Sequence, residues 1–453
     1  MYISRDIETQ MVDWLKFDHL ALQIDGGRQV GKTTTILQFA QKHFKNTVYV
    51  NLRSFTGERF MRLVTKLQDM PSSSYYLELV QQFAKTEQIE FTNDAKTVFV
   101  IDEIQESKKI YEMVREFTRN LHCKVIITGS YLARALDYFQ PIGDVETLTM
   151  YPFNFLEFIQ VWGGRTFIEK QDLMNWDSSH DEWYETAYQN YLFYGGYPDV
   201  VKSVVLKNYQ EAKERKKFLN NLLKDEIQSR LSLSADRVMV SDMLSVVVEF
   251  LASEKRGSGL LTSLTVSLNE RYKNMMFTRK EVKNCVAWLK ECGILDYCDR
   301  YDFVTKSVAC GERFYFRDLG ILSDVLKESP VLDDATKRGI LAENFVFKTL
   351  NERRIRPMFG IYDNGELDFY VVAGEGDVSR VRYGIEVKSG RGKGKTITKL
   401  LSEKKIDKAI FFKGKTLGGV EGDMITLPLW CSSVFSYPSK TGKEELKELE
   451  EFQ

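Results

Sequence analysis

Two groups of residues in this 453-residue sequence have types and spacings that carry chemistry. The first runs Gly26, Gly27, Arg28, Gln29, Val30, Gly31, Lys32, Thr33 and matches G-x-x-x-x-G-K-[ST]. An apolar run ends just before it at Ile24, and a helix-period segment follows from Thr34 to residue 43. Strand, loop and helix in that order are the context in which this pattern cradles phosphates. Glycines let the backbone turn its N–H groups toward phosphate oxygens, and the positive end of the next helix adds to the attraction. Lys32 places a charge near β and γ phosphates. Thr33 offers a hydroxyl to Mg2+, and Thr34 completes the set. The implied ligand is ATP or a related nucleoside triphosphate.

A partner follows at Val98-Phe99-Val100-Ile101-Asp102-Glu103. Four apolar residues read as a buried central strand that delivers Asp102 to the Mg2+ shell and Glu103 to a water, which it would orient or deprotonate. Tandem acids suit hydrolysis better than binding alone. A third apolar run, residues 125–127, leads to Thr128-Gly129-Ser130. Ser130 there is either a sensor of the γ-phosphate or a helix N-cap, with Thr128 the weaker sensor candidate.

The second group is near the other end. Gly365-Glu366-Leu367-Asp368-Phe369 precedes Gly384-Ile385-Glu386-Val387-Lys388. Strand alternation puts Glu386 and Lys388 on one face. With Asp368 on a neighbouring strand, the carboxylates would hold one or two divalent ions, Mg2+ or Mn2+, while Lys388 positions or activates water. Glu343, on a helical segment, adds an acid from the side. Between Lys388 and Lys415 ten Lys or Arg residues face only Glu403 and Asp407, an excess suited to phosphates or to a solvated helix face.

Apolar runs at 20–24, 48–52, 98–101 and 125–127 alternate with helix-period segments, which predicts a parallel α/β sheet around the first group. From about 153 to 233 the pattern is helical. An apolar-striped helix is expected over 237–252 and a second over 260–268. A third begins with the capping box Thr278 and Glu281 and stops at Gly293. Strand-like pieces at 294–297 and 313–316 would complete a winged helix. A polar linker at 327–338, a helix over 340–351 and strands at 367–372, 383–387 and 409–412 predict another α/β domain.

The set G-G-R-Q-V-G-K-T, V-I-D-E-I-Q, I-I-T-G-S, Y-P-F-N-F-L-E-F at 151–158 and G-G-Y-P at 195–198 resembles prokaryotic P-loop ATPases related to the AAA+ and STAND classes. That resemblance implies an ATPase core over 1–160, a helical region over 161–235, a winged helix over 236–326 and a restriction-endonuclease-like domain over 327–453. It also implies a nucleotide-dependent switch. Asp368, Glu386 and Lys388 are similar to the D-(x)n-E-x-K signature of the restriction-endonuclease-like superfamily, with Glu343 matching its helical acid.

Composition narrows the rest. Six scattered cysteines without a C-x-x-C pair and four dispersed histidines argue against a zinc centre or a disulfide framework. The apolar runs are strand-sized, and the first residues read as no export leader, so a cytoplasmic protein without a membrane span is expected. A net charge of -1 does not favour nucleic acid over the whole chain. Arg271, Lys273, Arg279, Lys280 and Lys283 nonetheless cluster around the third helix of the expected winged helix, which makes DNA a candidate partner. Arg134 and Arg317 are candidates for a γ-phosphate finger, from the same chain or a neighbour in a homo-oligomer. Two functions remain open: an ATPase controlling a metal-dependent DNA nuclease, or a nucleotide-dependent regulatory switch whose rear domain does not cleave.

Overall fold

The computed structural model describes residues 3–69, 71–130, 144–163, 181–230, 243–247, 249, 260–273, 276–329, 332–374, 379–390, 394–414, 416 and 418–440. These fall into two units, one of Met1–Pro152 with Glu291–Gly293 and one of Phe153–Lys290 with Ile294–Gln453. No helix among the described residues is long and apolar enough to cross a membrane.

The first unit runs α1 (Ile7–Trp14), β1 (Ala21–Gly26), α2 (Lys32–His43), β2 (Asn46–Asn51), α3 (Phe55–Lys66), α4 (Ser72–Thr86), β3 (Thr97–Asp102), α5 (Lys108–Asn120), β4 (Lys124–Thr128) and β5 (Val145–Met150). Its strands pair in the order β2-β3-β4-β1-β5, every pair parallel. The expected parallel α/β sheet is therefore present. All six residues of β3 are buried, as a strand covered on both faces requires. On one face Val48, Val50, Phe99, Ile101, Val125 and Ile127 pack beneath α3, α4 and α5. Phe60, Phe83, Phe99 and Phe117 meet there largely edge to face, with Phe60–Phe83 centroids 5.2 Å apart and Phe99–Phe117 5.4 Å apart. Because the strands are parallel, Gly26, Asp102 and Thr128 all end at one edge, where an open α/β sheet takes its ligands.

The second unit begins with α6 (Phe155–Gly163), α7 (Asp181–Tyr194), α8 (Pro198–Val205), α9 (Tyr209–Arg230), α10 (Leu260–Arg271) and α11 (Arg279–Glu291). It continues with β6 (Leu295–Asp302), β7 (Ser307–Phe316), α12 (Leu319–Glu328), α13 (Asp334–Glu352), β8 (Met358–Tyr362), β9 (Gly365–Ala373), β10 (Val381–Lys388), α14 (Lys395–Ser402), β11 (Lys408–Lys413), β12 (Gly419–Glu421) and β13 (Met424–Pro428). The capping box forms reciprocally: Thr278 N–H donates to Glu281 Oε2 at 2.8 Å, and Glu281 N–H to Thr278 Oγ1 at 3.3 Å. Gly293 then takes φ 74° just beyond α11.

Eight strands form one sheet in the order β12-β13-β11-β10-β9-β8-β6-β7. The ribbon expected to complete a winged helix is thus also part of the rear sheet, with β6 parallel to β8. The sheet crosses the expected boundary at 326/327. At the outer strand β7, the Phe316 N–H donates to Asn344 Oδ1 at 2.7 Å and Asn344 Nδ2 donates to the Phe316 carbonyl at 2.8 Å. A fully buried amide on α13 thereby satisfies backbone groups at the end of the edge strand. The helix expected over 237–252 lies largely outside the described residues, as does Arg134.

Candidate functional site

The phosphate loop is built by backbone geometry that its residues permit. Gly26 has φ 148°, and a Cβ there would lie 2.2 Å from the Met150 carbonyl oxygen on neighbouring β5, so only glycine fits. Gln29 and Gly31 are left-handed, at φ 60° and 97°. Gly26, Gly27 and Val30 are buried, Arg28, Gly31 and Thr33 half-buried, and Gln29 and Thr34 exposed. Lys32, the first residue of α2, is buried and folds back over the loop. Its Nζ donates to the Gly26 carbonyl at 2.9 Å, the Gly27 carbonyl at 2.7 Å and Ser130 Oγ at 3.3 Å. Burial pushes its ammonium down to about 8, against the attraction of Asp25, Glu103 and Asp102.

Thr33 Oγ1 donates to Asp102 Oδ2 at 2.8 Å, so the hydroxyl and carboxylate expected in the Mg2+ shell meet. Hard oxygen donors of this kind suit Mg2+. Tyr49 OH donates to the same carboxylate oxygen at 2.8 Å. Asp102 Oδ1 accepts the Glu103 N–H at 2.8 Å, which fixes the turn where Glu103 takes φ 54°. The Glu103 carboxylate accepts from Gln105 Nε2 at 2.5 Å and lies 3.7 Å from Arg53, whose Nε is 3.1 Å from Glu106. Gln105 Oε1 in turn accepts the Ser130 N–H at 3.3 Å. Ser130 thus faces Lys32 through its hydroxyl and Gln105 through its backbone. No sequence pattern marks Tyr49 or Arg53, and Gln105 stands in the sequence only as the last residue of V-I-D-E-I-Q. Gln105 sits two residues beyond Glu103, and Asn51, two residues before Arg53, pairs in register with Asp102, yet neither spacing signals the contact.

Residues 18–159 match the family model of an AAA domain. Over those residues the chain is similar to AAA domains, a P-loop ATPase type. Residues 185–331 match a domain of unknown function, DUF8612. Among solved structures, a Walker-type ATPase of Pyrococcus abyssi is similar at 14% identity and TM-score 0.45, with 72% of this chain and 96% of that one covered. The ORC2 protein of Aeropyrum pernix is similar at 12% and 0.35, covering 65% and 89%. RuvB of Thermotoga maritima is similar at 14% and 0.28, covering 65% and 90%. No curated protein matches the chain.

The rear residues come from α13, β7, β9 and β10. Glu386 is buried, and its Oε1 lies 2.6 Å from Lys388 Nζ. Its Oε2 is buried with no hydrogen-bond partner. Asp368 Oδ2 accepts the Val387 N–H at 2.6 Å. Asp368 keeps part of its surface open but is ringed by protein, and that desolvation, with Glu386 and Glu343 nearby, pushes its carboxyl well above the usual range. Burial also raises Glu386, against the pull of Lys388. Burial alone would lower Lys388, yet Asp368, Glu386 and Glu343 hold it above its ordinary value.

Glu343 has other partners. Its Oε1 accepts from Tyr315 OH at 2.6 Å and from Arg313 Nη1 at 3.2 Å, and Arg313 Nη2 also binds Glu366. Asp368, Glu386 and Lys388 form one electrostatic group, with Glu343 beside it and tied into an arginine pair. Among the described residues no group of three or more His, Cys, Asp or Glu is placed to hold a metal ion. The second metal expected at Asp368 and Glu386 thus lacks a ready-made three-ligand cluster. The unpartnered Glu386 Oε2 remains the atom there that suits a cation. The backbone at Gly394, before α14, closes over it: a Cβ there would lie 3.2 Å from the Glu386 carboxyl carbon. Arg317, one of the two finger candidates, makes a forked pair with Asp296 at 2.9 and 2.8 Å.

Proposed function

We propose that this protein binds ATP with Mg2+ and hydrolyses it at the phosphate loop. The observation that carries the reading is the 2.8 Å contact between Thr33 Oγ1 and Asp102 Oδ2 beside the inward-folded Lys32. Bound Mg2+ would neutralise charge on the β and γ phosphate oxygens. Gly26, Gly27, Arg28, Gln29, Val30, Gly31 and Thr34 wrap the phosphates through backbone N–H groups. Lys32 exchanges loop carbonyls for phosphate oxygens, Thr33 and Asp102 hold the ion, and Ser130 faces the γ end. Glu103 orients the attacking water and takes its proton, trading Gln105 and Arg53 for that water as it does so. Purified protein should hydrolyse ATP in Mg2+. Lys32→Ala should abolish binding, and Glu103→Gln should keep binding while slowing turnover by about 10²–10⁴-fold. Normal turnover in Glu103→Gln would remove Glu103 from that role.

A second reading concerns the rear unit and rests on the orphaned Glu386 Oε2. In it, Asp368 and Glu386 bind Mg2+ or Mn2+, Lys388 positions water, and a nuclease-like fold over 327–453 acts on DNA held partly by the basic α11. Glu343, paired with Arg313, then supports the site without ligating. The alternative is a non-cleaving module that serves a nucleotide-dependent switch, and the Glu343–Arg313 pair favours it. Plasmid cleavage with Mn2+ separates the two. Activity lost in Asp368→Ala and Lys388→Ala supports the nuclease, and equal activity in all three proteins removes it.

A further inference from the structure

Arg5 stands outside every motif of the phosphate site, yet its side chain reaches it. Its position is fixed locally. Arg5 N–H donates to Glu8 Oε1 at 2.7 Å, Ser4 Oγ donates to the same oxygen at 3.0 Å, and Glu8 N–H donates to the Arg5 carbonyl at 3.0 Å. That turn opens α1, which is anchored by fully buried Met11 and Trp14. Trp14 Nε1 donates to the Leu20 carbonyl at 2.9 Å, just ahead of β1. Arg5 is therefore presented from a packed helix beside the strand that leads into the loop.

From there the buried guanidinium spans two carbonyls. Nη1 donates to Val30 O at 3.0 Å, and Nη2 to Tyr151 O at 2.7 Å. Val30 lies between Gln29 and Gly31, both in the left-handed region. A peptide group is planar with its C=O and N–H pointing in opposite directions. A donor that holds the Val30 carbonyl on the Arg5 side therefore turns the Gly31 N–H to the other side, away from Arg5. Tyr151 is the first residue beyond β5, the strand beside β1. One side chain thus joins the middle of the loop to the point where the chain leaves the sheet.

We infer that Arg5 is a positioning residue for the triphosphate, holding the Val30–Gly31 peptide in its binding orientation and coupling the loop to the chain exit at Tyr151. This rests on the reading of the loop as a nucleotide cradle. A fork is needed because both carbonyls must be met at once, which a lysine ammonium does less well.

The test measures ATP affinity with Mg2+ by calorimetry, and backbone hydrogen exchange at Gly31 and Lys32, in the natural chain, Arg5→Gln, Arg5→Lys and Trp14→Phe. The last loosens α1 without touching the loop. Arg5→Gln should bind ATP about 10–100-fold more weakly and exchange faster at Gly31. Arg5→Lys should recover only part of the loss. Because the Ser4–Glu8 turn that fixes Arg5 makes no use of Trp14, Trp14→Phe should lower the melting temperature with ATP affinity within about twofold of the natural chain. Arg5→Gln with natural affinity and exchange would overturn the inference, as would Trp14→Phe weakening ATP equally. Should Arg5→Gln not fold, Arg5→Lys decides alone: natural affinity overturns the inference and weakened affinity supports it. A natural chain that binds no ATP would instead sink the cradle reading itself.

Discussion

The two charged sites hold their charges in different ways. At the phosphate loop, Lys32 is held by two backbone carbonyls and a serine hydroxyl, and Asp102 accepts from a threonine, a tyrosine and a backbone N–H. Neutral dipoles do most of the holding, so a charged ligand can displace them without leaving an ion stranded. In the rear unit Lys388 pairs with Glu386, and Arg313 with Glu343 and Glu366. There the protein already supplies its own counter-ions. A site kept ready by dipoles is poised for a ligand, whereas one closed by ion pairs must give something up first.

Breaking the rear ion pair has the largest expected effect on this contrast. Arg313→Met leaves Glu343 and Glu366 without their cation, and urea unfolding should show a loss of roughly 3 kcal/mol. Added Mn2+ should restore part of it if the freed acids take a cation, which would make the two sites more alike than they are in the natural chain. No loss would mean that the pair contributes little.

Next comes Asp368→Asn, which keeps an acceptor for the Val387 N–H and removes an unfavourable charge. The folded carboxyl titrates above its unfolded value of about 3.9. Its stability contribution is therefore complete below that value and is lost as pH rises through the folded one. Relative to the natural chain, the variant should gain stability as pH rises above that unfolded value, until the folded carboxyl has ionised. A difference that shrinks with rising pH would contradict the sign.

The smallest effect is at the loop. Lys32 sits at about 8, so it carries its proton at neutral pH and begins to lose it just above. A bound triphosphate favours the charged form. ATP affinity should hold to about pH 8 and then fall several-fold by pH 9.5, and a flat profile would mean that the lysine does not carry the charge.

How much of this was legible in the sequence depends on how local each feature is. Strands β1, β3 and β4 announce themselves as apolar runs because both of their faces are covered. The capping box at Thr278 and Glu281 and the stop at Gly293 depend only on neighbours in the chain. Strands β8, β12 and β13 escaped because they are short and only partly apolar, and β8 carries Gly360. The merging of β6 and β7 into the rear sheet depends on pairing with β8, more than fifty residues on in the chain. For the same reason the spacing of Asp368, Glu386 and Lys388 could suggest a site while giving no sign of Arg313, which approaches from β7. Arg317 looked available to a phosphate until its fork met Asp296. Arg5 could be placed near the first strand, but the reach of its guanidinium to Val30 and Tyr151 belongs to the folded chain.

The most direct measurement is calorimetric titration of the folded natural chain with ATP, with and without Mg2+. The expected result is saturable binding that Mg2+ strengthens, and a Thr33→Ala variant in which most of that Mg2+ dependence is lost. Heat changes indistinguishable from dilution in the natural chain would contradict it.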